Sequence, residues 1–401
     1  MKKNTKQTTI NSIPYNNLDI DTGIFHLGKD KQGNRFSKTL KFTDINYLIA
    51  REDERNDIYT RYSKTLNLLT DEMEALLQIV NRKADFEDIE KEVTVGLKGD
   101  ELDDIRKDYN KIIIDGLKDG KGNMKKELYL TLITHAKDFK EADRQFHKLI
   151  KELEAEFKTF GSELKEVSTS ERLELMHDEL NYDNVGEFKY EFTERDKKRR
   201  GISKTAIAPE YMKFDLNHYK LNERYYRGVY LKSVGETLDD EFINDLLSTN
   251  IDMTISLYMK PLEKFKSVEL TKKKKTDART QILERRRKAL KKKSLEAYIP
   301  EELQEDFDSS NELLEHLKEN SDKLFNTTFA ITYSAKDKDE LEQGMKSLQR
   351  LAGKHDARLN ILLNQQEPAF KLSLPLGVLE LNTGRYFTTT EVGIFTPFGN
   401  Q

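Results

Sequence analysis

The chain has 401 residues, 35% charged and 36% apolar, with a formal net charge of -4 and neither cysteine nor tryptophan. That length exceeds what one hydrophobic core usually organises and suggests two domains of roughly 150 to 200 residues, while the absence of cysteine excludes disulfides, thiolate zinc sites and a cysteine nucleophile. No apolar run approaches the roughly 18 to 20 residues a spanning helix needs, and the opening MKKNTKQTTINS lacks the apolar core of a signal peptide, so a cytosolic protein that can sit on a membrane surface is expected.

Residues 1–22 are polar and Asn-rich and read as a loose terminus. A first α+β domain is predicted over 23–182. In NRFSKTLKFTDINYLI, Phe36, Leu40 and Phe42 alternate with polar residues at the period of a strand. Ile58, Tyr62, Leu66 and Leu69 then recur at helical spacing, EMEALLQIVNR reads as the next strand, and a charged helical stretch with glycine breaks fills 84–120. KELYLTLITHAKD is again strand. The helix after it carries Ala142, Phe146, Leu149, Ile150, Leu153 and Phe157 on one face, and SELKEVS closes the set. A polar connector covers 183–223, after which the same order returns in a second domain over 224–365. RYYRGVYLKSV is strand, LDDEFINDLLS helix, NIDMTISLYMKPL strand, and a long charged helical insertion occupies 263–320. NTTFAITYSAKD is strand, Leu341, Met345, Leu348 and Leu351 mark a helix, and ARLNILL is the last strand of the set. The junctions match too: Ala136-Lys137-Asp138 and Ala335-Lys336-Asp337 each stand between a strand and a helix. The predicted fold is α+β, two tandem ferredoxin-like (βαββαβ) units with helical insertions between the second and third strands. The second insertion is expected to be a long charged helical hairpin.

Catalytic constellations are not found. GLKDGKGN, Gly116 to Asn123, is the nearest approach to a phosphate-binding loop, but it has three residues between its glycines and no Ser or Thr after Lys121. The seven histidines (His26, His135, His147, His177, His218, His316 and His355) are scattered without metal-ligand spacing. No G-x-S-x-G elbow marks a nucleophilic serine, and no catalytic, cofactor-binding or metal-binding residue is assigned. RYYRGVYLKSV resembles the R-G-aromatic run of RNA-recognition sheets, yet Val229 stands where a stacking aromatic should follow Gly228.

The strongest local signal is TKKKKTDARTQILERRRKALKKKS, Thr271 to Ser294. Residues 272–293 hold twelve Lys and Arg against two acids, a local +10 that leaves -14 for the rest of the chain. Lys272, Lys273, Lys274, Lys275, Arg279, Arg285, Arg286, Arg287, Lys288, Lys291, Lys292 and Lys293 are the candidate docking or phosphate-contact residues. On a helix they surround most of the circumference and leave Ile282, Leu283, Ala289 and Leu290 as a narrow apolar seam. Three uses are open: phosphate contact with nucleic acid, attraction to an anionic membrane surface, and internal pairing. The last would be an antiparallel hairpin with Glu301 to Glu319, which has eight acids and one Lys and is reached through Tyr298-Ile299-Pro300.

The closing TGRYFTTTEVGIFTPFGNQ, Thr383 to Gln401, is apolar and β-branched. It reads as a strand-like segment followed by a Pro-Phe-Gly turn, within a junction over 366–401 that is expected to lead into a further domain. Three stretches together resemble one family. SKTLKFTDINYLIAREDERNDIYTRYSKTLNLL with QIVNRKAD is similar to the opening of conjugative type IV secretion ATPases. KTAIAPEYMKFDLNHYKLNERYYRGVYLKSV is similar to their middle connector, and LSLPLGVLELNTGRYFTTTEVGIFTPFGNQ to the passage before their motor domain. This is the TraE/TrbE/CagE group, the fourth VirB component, in its Gram-positive conjugative-element branch, and the likeness spans most of residues 30–401 in order. The resemblance implies a RecA-like P-loop motor after Gln401, to which ATP and Mg would belong; no nucleotide-binding residue carries over to this chain. It also implies assembly, commonly as hexamers of sister subunits, on the cytoplasmic face of the membrane. Contacts with inner-membrane components of the conjugation channel and a coupling protein follow from it, with DNA transfer from a plasmid or conjugative transposon as the outcome. The expected role is a docking and assembly module. The alternative is a free-standing nucleic-acid-binding protein using the basic helix 272–293.

Overall fold

The structure, a computed structural model, describes residues 9–83, 94–96, 99–100, 102–118, 124–182, 188–193, 202–235, 238–291, 300–319 and 322–399. Thirteen strands form one antiparallel sheet. They are β1 (Asn17–Leu18), β2 (Phe25–Lys29), β3 (Asn34–Phe42), β4 (Met73–Lys83), β5 (Met124–Ala136), β6 (Leu164–Glu166), β7 (Met212–Phe214), β8 (Tyr219–Leu221), β9 (Arg224–Val234), β10 (Met253–Pro261), β11 (Leu324–Ala335), β12 (Ala357–Ile361) and β13 (Arg385–Thr388). Among the described residues there are twelve helices: α1 (Thr9–Ser12), α2 (Glu52–Leu66), α3 (Asp103–Lys118), α4 (Phe139–Thr159), α5 (Thr169–Leu180), α6 (Ile202–Ile207), α7 (Phe242–Leu247), α8 (Lys264–Lys291), α9 (Glu301–Glu319), α10 (Lys338–Lys354), α11 (Gln366–Ser373) and α12 (Thr389–Gly393).

The α+β class holds, and the strand pairing repeats. In the first half β6, β3, β5 and β4 lie side by side in that order; in the second, β12, β9, β11 and β10 do the same. Each half also carries a preceding hairpin, β1–β2 on β3 and β7–β8 on β9. The halves join through β4 and β10, antiparallel from Asn81 opposite Met253 to Ala75 opposite Met259. The matched Ala-Lys-Asp junctions act alike: Asp138 accepts from the Glu141 amide at 2.9 Å and Asp337 from the Glu340 amide at 2.8 Å. Each glutamate returns a bond from the amide of Lys137 or Lys336, both 2.7 Å, so two orphan amides are satisfied at each helix start.

Period-two patterning gives each face its own cover. Met73, Ala75, Leu77 and Ile79 of β4, with Met253, Ile255, Leu257 and Met259 of β10, face α2, α4, α7, α10 and α12 in one core that runs through both halves. The opposite face shows Glu74, Leu76 and Gln78 beside Thr254, Ser256 and Tyr258. It is covered by α5, α11 and the segment 374–381. Gly228 of β9 is a close-approach site there: a Cβ would stand 2.3 Å from that of Ala369 on α11, and Gln366 bonds the Gly228 amide and carbonyl at 2.8 and 3.1 Å. That contact accounts for the glycine that resembled an RNA-binding motif.

Two expectations are corrected. Residues from Thr9 onward are packed rather than loose, because Ile13 and Tyr15 are buried and the Tyr15 hydroxyl meets Ser203 at 2.8 Å. The closing stretch is strand only over β13; Thr388 and Glu391 form a reciprocal cap that turns the next residues into α12. Phe395 and Phe398 are then buried, the second against Phe42, Tyr62 and Phe160. The connector also contributes to the sheet, since β7 and β8 fall within 183–223.

Candidate docking surface

The basic tract lies on α8, and α8 packs against α9 as an antiparallel hairpin. The Lys264 ammonium donates to the Lys318 carbonyl at 3.3 Å, and Lys275 sits 5.7 Å from the ring centre of Phe307. The seam differs from the one expected. Ser267, Thr271, Ala278 and Ile282 are buried on α8, facing Ser310, Leu314 and Leu317 of α9. Leu283 is 43% exposed, and the side chains of Ala289 and Leu290 lie outside the described residues. Small polar residues line this seam because their hydroxyls bond back into the helix: Thr271 donates to the Ser267 carbonyl at 2.9 Å and Ser267 to Glu263 at 3.0 Å.

Most candidate cations face away from that seam. Lys272, Lys273, Lys274, Arg279, Arg285, Arg286, Arg287 and Lys288 are exposed, and Lys275 is half-buried by its contact with Phe307. The side chain of Lys291, and the whole of Lys292 and Lys293, lie outside the described residues. At about 1.5 Å per residue α8 is a rod of roughly 40 Å. It presents cations along most of its described length.

The insertion of the first half is a different surface. Asn110 holds α3 to the preceding segment by paired bonds with Val95, 2.8 and 2.9 Å, and Arg106 is folded back onto Asp100 and Asp103. This arrangement turns Leu102, Ile105, Tyr109 and Ile112 outward, 50 to 73% exposed. Sequence reasoning recorded the charged helix but not its apolar face. The signal was present in the spacing of 102, 105, 109 and 112. The GLKDGKGN stretch begins inside α3, which takes Gly116 to Lys118; Asp119 to Asn123 lie outside the described residues.

A third constellation holds the segment after α11 against the polar face of the sheet. The fully buried Arg172 of α5 donates to the Pro375 carbonyl at 2.9 Å, to the Gly23 and Ser37 carbonyls at 3.2 and 2.9 Å, and to Ser37 Oγ at 2.7 Å. Burial pushes its pKa down to about 9, still above neutrality, so the side chain is a cation in the folded protein. Thr39 adds a bond to Pro375 at 3.1 Å, Gln78 bonds the Ser373 carbonyl at 2.7 Å, and Arg35 reaches Gly377 at 3.3 Å. Beside Arg35, burial would raise the Glu74 carboxyl, but Lys260, Tyr258 and Arg35 together hold it below the usual carboxylate range. These contacts are structural ties.

A cavity lined by Arg82, Glu179, Tyr182, Tyr226 and Asp252 is about 10 Å³, room for one water at most. A shallow concavity of about 510 Å³ beside α2 carries Asp44, Glu54 and Asp57, with Asp44 already paired to Lys126. Among the described residues no group of three or more His, Asp or Glu could hold a metal ion, and no helix is long and apolar enough to cross a membrane. No protein-family model matches this sequence, and no curated protein matches it either.

Proposed function

We propose that the chain is the amino-terminal docking and assembly module of a conjugative type IV secretion ATPase, built from two tandem ferredoxin-like units. The repeated strand order β6-β3-β5-β4 and β12-β9-β11-β10, which is that of a βαββαβ unit, supports the architectural part. The observation that carries the functional part is the exposed cationic length of α8. Both sheet faces are covered, and the cations of α8 stand out on a hairpin whose seam uses other residues. On this reading α8 meets acidic surfaces of inner-membrane channel proteins, the module sits on the cytoplasmic face of the membrane beside sister subunits, and ATP and Mg belong to a motor outside these 401 residues.

The test is capture of solubilised inner-membrane channel components by the tagged chain and by its Arg285→Glu, Arg286→Glu, Arg287→Glu variant. Exposed side chains on a solvated helix tolerate such changes with little loss of stability, so circular dichroism should be unchanged while capture is lost. Unchanged capture removes α8 from the docking surface. Binding to single-stranded DNA with a steep salt dependence, lost in the same variant, would favour the nucleic-acid alternative instead.

A further inference from the structure

The two insertions differ in chemistry and leave the sheet in opposite directions. The first follows β4 after Lys83 and the second follows β10 after Pro261. Because β4 and β10 are adjacent and antiparallel, these exits lie at opposite ends of the pair, roughly 30 Å apart at about 3.3 Å per residue. At one pole α3 and the residue just before it expose Leu102, Ile105, Tyr109 and Ile112, four of the exposed large apolar side chains among the described residues, in a single stripe. Asp104 and Asp108, one helical turn apart, run along one edge of that stripe, and both are exposed; Lys107 meets Asp104 at 3.1 Å. The opposite edge is neutralised by Arg106 with Asp100 and Asp103. At the other pole α8 exposes Lys272, Arg279, Leu283 and Arg286 in a row at helical spacing, so aliphatic stems and one leucine alternate with positive charge. The sequences match this polarity: residues 84–123 have twelve acids against seven bases, and residues 272–293 two acids against twelve bases.

We infer that the α3 stripe of one copy takes the exposed row of α8 from a second copy, apolar stripe on leucine and alkyl stems, Asp104 and Asp108 against Arg279 and Arg286. The two surfaces differ and stand at opposite poles, so the contact is head-to-tail and leaves an unused α3 and an unused α8 on every pair. Such contacts continue into a ring or an open filament. The inference rests on the sister-subunit part of the preceding reading, and the purified chain alone tests it.

The chain has no cysteine, so each thiol introduced is the only one. Ile112→Cys and Leu283→Cys proteins, mixed and treated with a short bis-maleimide, should give a two-chain product; neither alone should, nor should Ile112→Cys mixed with Arg350→Cys, an exposed site on α10. Adding Arg279→Glu and Arg286→Glu to the Leu283→Cys chain should lower the yield about tenfold, and adding Asp104→Lys and Asp108→Lys to its partner should restore it. Equal yield from the Arg350→Cys control, insensitivity to the reversals, or a product from Ile112→Cys alone would each overturn the proposal. Capture of channel proteins by the Asp104→Lys, Asp108→Lys chain, whose α8 is intact, reads the docking proposal separately.

Discussion

Replacing Arg172 tests how the segment after α11 is held. Among the described residues the guanidinium has no carboxylate hydrogen-bond partner; there it donates four bonds, three of them to the carbonyls of Pro375, Gly23 and Ser37, and lies 4.4 Å from the ring centre of Phe25. Hydrogen bonds from a charged donor contribute about 1.5–3 kcal/mol each, roughly 6–12 kcal/mol for four. Removing the cation also removes the cost of keeping it out of water, several kcal/mol. The net expectation for Arg172→Ala is a loss of about 3–5 kcal/mol, a large part of the roughly 5–15 kcal/mol that usually separates folded from unfolded chains. Arg172→Met, which keeps most of the volume, should lose less, and Arg172→Lys should fall between them because one ammonium cannot reach partners on three segments. Urea unfolding followed by circular dichroism measures the loss, and hydrogen exchange over residues 374–381 locates it. A loss below about 1 kcal/mol in Arg172→Ala, or unchanged exchange at 374–381, would refute the view that this guanidinium ties the segment down.

Three further outcomes are expected. Asp138→Ala and Asp337→Ala should each cost about 1 kcal/mol, and the double variant about the sum, since each cap bonds amides of its own helix start only; urea midpoints of the set check this. Gly377→Ala should cost about 2–4 kcal/mol in the same assay, because Gly377 has φ +77° and a Cβ there would stand 2.4 Å from Ile133 Cγ1. Glu74 has a folded pKa below its ordinary value of 4.5, so the unfolded chain binds the proton more tightly. Its contribution is therefore complete above that value and is lost as pH falls through the lower folded one. Urea midpoints from about pH 6 to pH 3 should fall less steeply in Glu74→Gln than in the native chain.

Elements that bury one clean face were legible in the sequence. β4 alternates Met73, Ala75, Leu77 and Ile79 inward, and α4 buries every residue assigned to its apolar face. α5 was missed because its buried side is mixed: Arg172, His177 and Glu179 are buried beside Leu173, Met176 and Leu180, which erases the apolar period. Its start was nonetheless written in Ser168 and Glu171, a reciprocal cap three residues apart. β7 and β8 are three residues each, too short to show a period, although Asn222 with φ 49° marks the tight turn between β8 and β9. The charge of α8 was plain in the sequence, whereas its seam was not. Ser267 and Thr271 count as polar in any pattern, and only the partner helix shows that they are buried.

The cover on the sheet decides where other molecules can bind. A two-layer α+β sheet ordinarily leaves one face open, and such faces are common binding platforms. Here α5, α11 and residues 374–381 occupy that face, and polar ties join their apolar packing: Gln78, Thr39, Arg35 and Arg172 bond carbonyls of Ser373, Pro375 and Gly377. Directional bonds to backbone fix one register of the segment, which apolar packing alone would specify less sharply. With both faces filled, the two insertions present a cationic rod at one pole and an apolar stripe with acids at the other. Longer or shorter insertions would change the reach of these poles without disturbing the sheet, because each leaves from the end of a strand and returns to the start of the next. Partner choice can therefore vary on the insertions while the paired halves stay constant.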